Sequence, residues 1–253
     1  MALYLSLAGF DPSGGAGLLA DTQVWQQLGH QAMALSTAQT VQNSKGVTGL
    51  VPGDPSLFEA QFKALAQDFK LDGFKIGLLA NAAMVELVTR LLLPYKTPKI
   101  LDPVLKASSG AQLLDAAGTE AMLIHLLPQV DLLTPNLAEA AQLTGKEVQN
   151  LDQMELAAHA LLKRGARRVL IKGGHLAGEP VDLYVDLHQT LPIGGPRASG
   201  LDPRGTGCLL SSAILGHFEG DWPQAVQKAK AYAYKAIARS QPLGAGQPYW
   251  KLS

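Results

Sequence analysis

"LYLSLAGFDPSGGAGLLADTQVWQQL", residues 3–28, sets an apolar run against an amphipathic one across a glycine-rich turn. The pattern predicts a strand over Tyr4–Ala8 and a helix over Gly17–Leu28. A strand that feeds a polar loop and then a helix is the opening unit of a parallel sheet, because the helix must carry the chain back before the next strand can begin.

The same alternation recurs along the chain. Strands are expected at Gln31–Thr37, Gly73–Ile76, Lys99–Leu101, Val130–Leu133 and Val169–Lys172. Pro55–Phe69 reads as a helix capped by Asp54. Met84, Leu87, Val88 and Leu91 form a helical stripe, as do Met154, Ala157, Ala158 and Leu161. The second stripe is expected to start at an Asp152 cap, with Glu155 completing a capping box. From Asp182 to His188 the period changes to two, which predicts a half-exposed strand. A turn near His188 and Gln189 returns it through Leu191–Ile193. Helices over Thr206–Phe218 and Pro223–Arg239 follow. The fold class is therefore α/β, a mainly parallel central sheet with helices on both faces. No linker or repeat interrupts the pattern, so residues 1–253 are expected to form one domain.

Composition narrows the function. Lys+Arg and Asp+Glu both number 21, and 47% of residues are hydrophobic. That balance offers no basic surface for nucleic acid or anionic lipid. The single cysteine, Cys208, allows no internal disulfide and suits a reducing compartment. The start "MALYLSLAGF" lacks the basic lead of a secretion signal and breaks at Gly9, and no apolar run reaches the ~20 residues of a membrane helix. A cytoplasmic location is expected.

In a sheet of this kind ligands gather where parallel strands end. Polar loops stand there: "GFDPSGGAG" (9–17), "DPVLKASSG" (102–110), "TPNLAEA" (134–140) and "KGGH" (172–175). A further one, "LDPRGTGC" (201–208), follows the hairpin. Each has a plain reading and a chemical one. Gly205-Thr206-Gly207-Cys208 is either a helix start with a packed cysteine, or an anion site whose thiol has a lowered pKa and serves as a base. Lys172 is either a solvated lysine or a phosphate ligand. Asn136 and Glu139 are either a cap and its capping-box partner, or a pair facing a hydrated Mg²⁺. Asp102 is either a turn residue or a second carboxylate for that metal. Neither a P-loop nor a G-x-G-x-x-G fingerprint is present. The histidines show no ligand spacing and read as surface or incidental residues.

Taken together the motifs carry a resemblance. "AGFDPSGGAGLLAD" (8–21), "TVQNSKGV" (40–47), "KIGLL" (75–79), "LDPV" (101–104), "TPNLAEA", "KGGH" and "GTGC" run in the order of the ribokinase-like superfamily. Within it the chain resembles the hydroxymethylpyrimidine/phosphomethylpyrimidine kinases of thiamin biosynthesis. The resemblance implies a three-layer α/β/α domain, usually a homodimer, that uses ATP and Mg²⁺ to phosphorylate a pyrimidine alcohol and then its monophosphate. It implies substrate contacts from Gly9, Asp11, Ala16, Asp21, Thr40, Gln42, Leu78 and Lys106. It implies ATP contacts from Lys172, Asn136 and Arg204, with Glu139 and Asp102 toward the metal. Cys208 would be the base, and Gly205, Thr206 and Gly207 the anion hole.

The chain departs from the family pattern at Phe10, Lys106 and Asp202-Pro203-Arg204. Phe10 places a large ring where the pattern has a hydroxyl. Lys106 either reaches the phosphate of the monophosphate substrate or points to water. Arg204 either replaces an imidazole as a phosphate ligand or pairs with Asp202. These departures leave two alternatives: a pyridoxal kinase on the same scaffold, and a kinase-like protein that binds a pyrimidine without phosphorylating it.

Overall fold

The computed structural model describes residues 1–107, 109–174, 176, 178–198 and 202–252. The strands are β1 (Leu3–Phe10), β2 (Gln31–Asn43), β3 (Gly46–Pro52), β4 (Gly73–Ile76), β5 (Lys99–Leu101), β6 (Leu132–Leu133), β7 (Val169–Ile171), β8 (Asp182–Val185) and β9 (Thr190–Ile193). The helices are α1 (Gly17–Gln27), α2 (Pro55–Asp68), α3 (Ala82–Leu92), α4 (Ala116–Ala121), α5 (Leu137–Thr144), α6 (Leu151–Lys163), α7 (Thr206–Gly216) and α8 (Trp222–Ala238). A π turn and a 3-10 turn extend α4 to Gln129.

One sheet holds every strand in the order β3-β2-β1-β4-β5-β6-β7-β8-β9. The run from β2 to β7 is parallel, and β3, β8 and β9 pair antiparallel at the edges. The carboxyl ends of β1, β2, β4, β5, β6 and β7 therefore share one rim. The order reverses beside β1, which opens the crevice that such sheets use for ligands.

Alternation along the strands divides the core. Leu5, Leu7, Phe74, Ile76, Leu101, Leu133 and Val169 pack toward α2–α6. Their neighbours Tyr4, Ile100, Leu132, Leu170 and Tyr184 pack toward α1, α7 and α8. Successive side chains leave a strand on opposite faces, so runs such as "KIL" and "VLI" must be apolar throughout to serve both layers. Among the described residues no helix is long and apolar enough to cross a membrane.

Several expectations need correction. β2 is longer than Gln31–Thr37 and turns through Ser44 and Lys45 into β3, a hairpin hidden by its polar residues. Asn150, not Asp152, caps α6 by accepting from Gln153 N–H at 2.9 Å. β8 is buried along its length rather than half exposed. Its polar members are satisfied inside: Asp182 accepts from Gly173 N–H at 2.9 Å and pairs with Lys230 at 2.8 Å. His30 is not incidental, because its ring bridges Ala2 N–H and Gly216 C=O.

Candidate active site

A cleft of about 1580 Å³ opens along the carboxyl rim. One end is lined by Gly9, Asp11, Ala16, Thr40, Gln42, Leu78 and Lys106. The other is lined by Asn136, Glu139, Lys172, Ile193–Ala198 and the α8 residues Gln227, Lys230 and Tyr234. Between them stands the start of α7, Gly205 to Cys208.

Gly205 is the N-cap of α7 at φ 71°, a left-handed conformation suited to glycine. A Cβ there would lie 1.9 Å from the Gly15 carbonyl oxygen, so the turn sits directly on the first loop. No side chain caps α7. Its first-turn amides and positive dipole end thus face the cleft, an arrangement that favours an anion.

Beneath this turn lies a charged cluster. Lys172 Nζ donates to Asp102 Oδ1 at 2.7 Å and stands 3.9 Å from Glu139 Oε2. A Cβ on Gly207 would lie 3.2 Å from Lys172 Nζ. Burial works against both charges and is the largest single influence, but Lys172, Lys75 and Thr134 together hold the Asp102 carboxyl low, and Asp102 with Glu139 holds the Lys172 ammonium high. Glu139 fares differently. Burial pushes it up to about 7, Lys172 opposes the rise and Asp102 adds to it.

The cysteine departs from expectation. Burial pushes the Cys208 thiol up to about 11; Lys75 and the Gly17 N–H pull it down, while Asp21 and Asp102 push it further up. The helix end does not offset the loss of water around sulfur, so the resting group is a thiol.

Each expected site residue can now be placed. Gln42 and Thr40 are linked, Thr40 Oγ1 donating to Gln42 Oε1 at 3.0 Å. Leu78 packs beneath Gly9, where a Cβ would lie 2.7 Å from Leu78 Cδ2. Lys106 is exposed on the cleft edge. Asn136 and Glu139 form a complete capping box, Asn136 accepting from Glu139 N–H at 2.9 Å and Glu139 from Asn136 N–H at 2.7 Å. The Asn136 side chain is therefore committed to its helix.

Asp21 does not line the cleft. It is fully buried and accepts from Ser6, Ser212 and Lys75. Phe10 is likewise absent from the lining, and its carbonyl accepts from Thr40 Oγ1. Arg204 is not free for nucleotide: it is 5% exposed, and its guanidinium pairs with Asp11 at 2.8 Å and donates to Ser13 Oγ at 2.9 Å. It pairs with Asp11 rather than with Asp202. His175, Ser108 and Leu201, within the quoted loops, lie outside the described residues.

Sequence reasoning missed Lys75. It is fully buried, reaches the cleft, and is held by both Asp21 oxygens at 2.9 Å. Burial disfavours its charge, but Asp21, Cys208 and Asp102 together outweigh burial and raise its pKa. A lysine inside the otherwise apolar strand "GFKI" was the available signal.

The donor set fits a hydrated Mg²⁺. Among the described residues no group of three or more His, Cys, Asp or Glu is placed to enclose a metal. Glu139 and Asp102 are hard oxygen donors, and Mg²⁺ ordinarily takes one or two carboxylates plus water and substrate phosphates. Asp102 is already paired with Lys172, which leaves Glu139 as the better placed of the two.

Comparison with known proteins bears on the family and the fold. Residues 11–250 match the family model described as phosphomethylpyrimidine kinase. A hydroxymethylpyrimidine/phosphomethylpyrimidine kinase of Aquifex aeolicus is 41% identical over 248 residues, covering 96% of this chain and 97% of that one. The crystal structure of a phosphomethylpyrimidine kinase from Clostridium difficile superposes with a TM-score of 0.82 at 32% identity, covering 94% of this chain and 100% of that one. A Staphylococcus aureus pyridoxal kinase in complex with AMP-PCP superposes with a TM-score of 0.90 at 28% identity, covering 99% and 93%.

Proposed function

Because the chain belongs to the phosphomethylpyrimidine kinase family, we propose that it transfers the γ-phosphoryl group of ATP to the hydroxymethyl group of 4-amino-5-hydroxymethyl-2-methylpyrimidine, and then phosphorylates the resulting monophosphate, in thiamin biosynthesis. The observation that carries the reading is one cleft with Gln42 and Leu78 at one end, Lys172 at the other, and the uncapped start of α7 between them.

The residues take roles by chemistry. Gln42 hydrogen-bonds the polar edge of the pyrimidine while Leu78 covers its face. Lys172 meets the ATP phosphates. The amides of Gly205, Thr206, Gly207 and Cys208 hold the charge on the migrating phosphoryl group. Glu139 would hold Mg²⁺ through water, and the ion when bound supplies charge neutralisation on the β- and γ-phosphates.

In the transfer itself the acceptor oxygen bonds to the γ-phosphorus as the bond to the bridging oxygen breaks, and ADP departs. The acceptor proton passes to sulfur. The competent form of Cys208 is the thiolate, which burial makes scarce and strongly basic; the Lys75 ammonium and the Gly17 N–H lower the cost of forming it. Positioning and charge stabilisation supply most of the rate.

We further infer that residues 1–253 act as one kinase domain, in the cytoplasm, as a homodimer. The exposed Val41 and Val51 of the β2–β3 hairpin support the last reading. Light scattering in solution tests it.

The function is tested by ADP release with the pyrimidine alcohol, its monophosphate and pyridoxal as acceptors. Turnover of both pyrimidines is expected. Far faster turnover of pyridoxal would overturn the assignment in favour of a pyridoxal kinase, an activity found on a closely similar backbone.

A further inference from the structure

The last stretch of the chain folds back over the acceptor end of the cleft. Gln241 and Tyr249 exchange two backbone hydrogen bonds, at 2.8 and 2.9 Å, and so close the loop between them. Its base is fixed. Trp250 is buried in the layer of α7 and α8, and Lys251 N–H donates to Ala236 O at 3.2 Å.

The far side of the loop grips the turn that joins β2 to β3. Gln247 N–H donates to Ser44 O at 2.8 Å, and Gly246 N–H to Ser44 Oγ at 3.2 Å. The contact has no slack: a Cβ on Gly246 would lie 2.1 Å from Ser44 O. Arg204 joins the same turn from below, donating from Nη1 to Asn43 O at 2.5 Å while its own N–H donates to Pro248 O at 3.2 Å. Its guanidinium carbon sits 5.5 Å from the centre of the Tyr249 ring.

The gripped residues, Asn43 and Ser44, directly follow Gln42. They sit where the sheet is least able to hold them. β3 is the edge strand, and the β2–β3 register shifts between Val41 and Gln42. A bulge re-aims the side chain beside it and interrupts the ladder that would fix it. Thr40 Oγ1 holds the Gln42 carboxamide from within the strand, while the backbone that follows Gln42 is held from outside the sheet.

We propose that the loop between Gln241 and Tyr249 is a specificity strap. It holds the β2–β3 turn down and fixes Gln42 at the acceptor end of the cleft, with Arg204 and Ser44 as positioning residues. The identity of the acceptor rests on the kinase function proposed above. The strap itself rests on the contacts just described. Among the described residues no hydrogen bond or ion pair joins Lys172 or the α8 residues at the opposite end to Ser44 or Asn43, so loosening the strap is expected to affect the acceptor and spare the nucleotide.

Gly246→Ala and Ser44→Ala test this in the full-length protein. Gly246→Ala forces the loop off Ser44; Ser44→Ala removes one acceptor without steric change. Hydrogen exchange of residues 40–50, measured without ligands, is expected to quicken in both variants, more in Gly246→Ala. The KM for the pyrimidine alcohol is expected to rise, up to about tenfold for Gly246→Ala, with the KM for ATP and the melting temperature nearly unchanged. Unchanged exchange over 40–50 overturns the strap. So does an equal rise in both KM values, which marks a general loss of structure. If the wild type fails to turn over the pyrimidine, the proposed function falls and the exchange result alone decides the strap.

Discussion

Lys172 Nζ reaches Asp102 Oδ1 at 2.7 Å across the end of β6, joining residues that follow β7 and β5 under the first turn of α7. The pair does two things. It neutralises a buried carboxylate, and it stores a cation where phosphates are expected.

Replacing Lys172 by Met separates these roles. The single variant leaves Asp102 buried without its nearest cation, so stability is expected to fall by about 3 kcal/mol, with turnover lowered by about 10² or more. Adding Asp102→Asn is expected to restore much of the stability and none of the activity. Calorimetric unfolding and ADP release on the two variants check this.

The thiolate reading of Cys208 fixes a pH dependence for the rate. With the thiol at about 11, the ionised fraction rises about tenfold per pH unit through the neutral range. The rate is expected to climb with that slope in the wild type. Cys208→Ala is expected to lose about 10²–10⁴ in turnover and to lose the slope. A flat wild-type profile, with chemistry shown to be rate-limiting, counts against sulfur as the base.

Stability should respond in the opposite direction. The native state keeps the Cys208 proton to about 11, whereas the unfolded chain releases it near 9.0. Between those values the native state is the more protonated, so stability falls as pH rises. The contribution is fully present below the lower value and is lost through the window, about 3 kcal/mol in all. Denaturant titrations of wild type and Cys208→Ser across this range should therefore converge from the wild-type side.

Lys106 stands exposed on the cleft edge. If it meets the phosphate of the monophosphate acceptor, Lys106→Ala raises the KM for that substrate up to about fivefold, the scale of a solvated ion pair. The alcohol, which has no phosphate, is expected to show no change.

The sequence disclosed the site where it depended on local rules. Alternating strands and helices placed the loops on one rim, and "GTGC", "NLAE" and "KGGH" named residues that do meet at the cleft. It failed where the outcome depended on distant partners. Arg204 looked like a phosphate ligand, but its anion is Asp11, 193 positions away, and no nearby residue announces that pairing. Asp182 reads as solvent-facing because its cation, Lys230, lies 48 positions away, and the Tyr184 ring because the helices that cover it are not local, although its hydroxyl donates to nearby Asp186. Cys208 reads from its helix position either as a packed residue or as an acidic thiol; desolvation, a property of the assembled layers, removes the acidity.

The grip of Arg204 on Asp11, and of Gly246 and Gln247 on Ser44, joins segments about 200 positions apart in the sequence. The parallel strands all lie between residues 3 and 171, so a fragment that stops there holds the whole nucleus of the sheet. It still lacks the residues near 204 and 246 that close the corner, so assembling the sheet and completing the cleft are separable events along the chain.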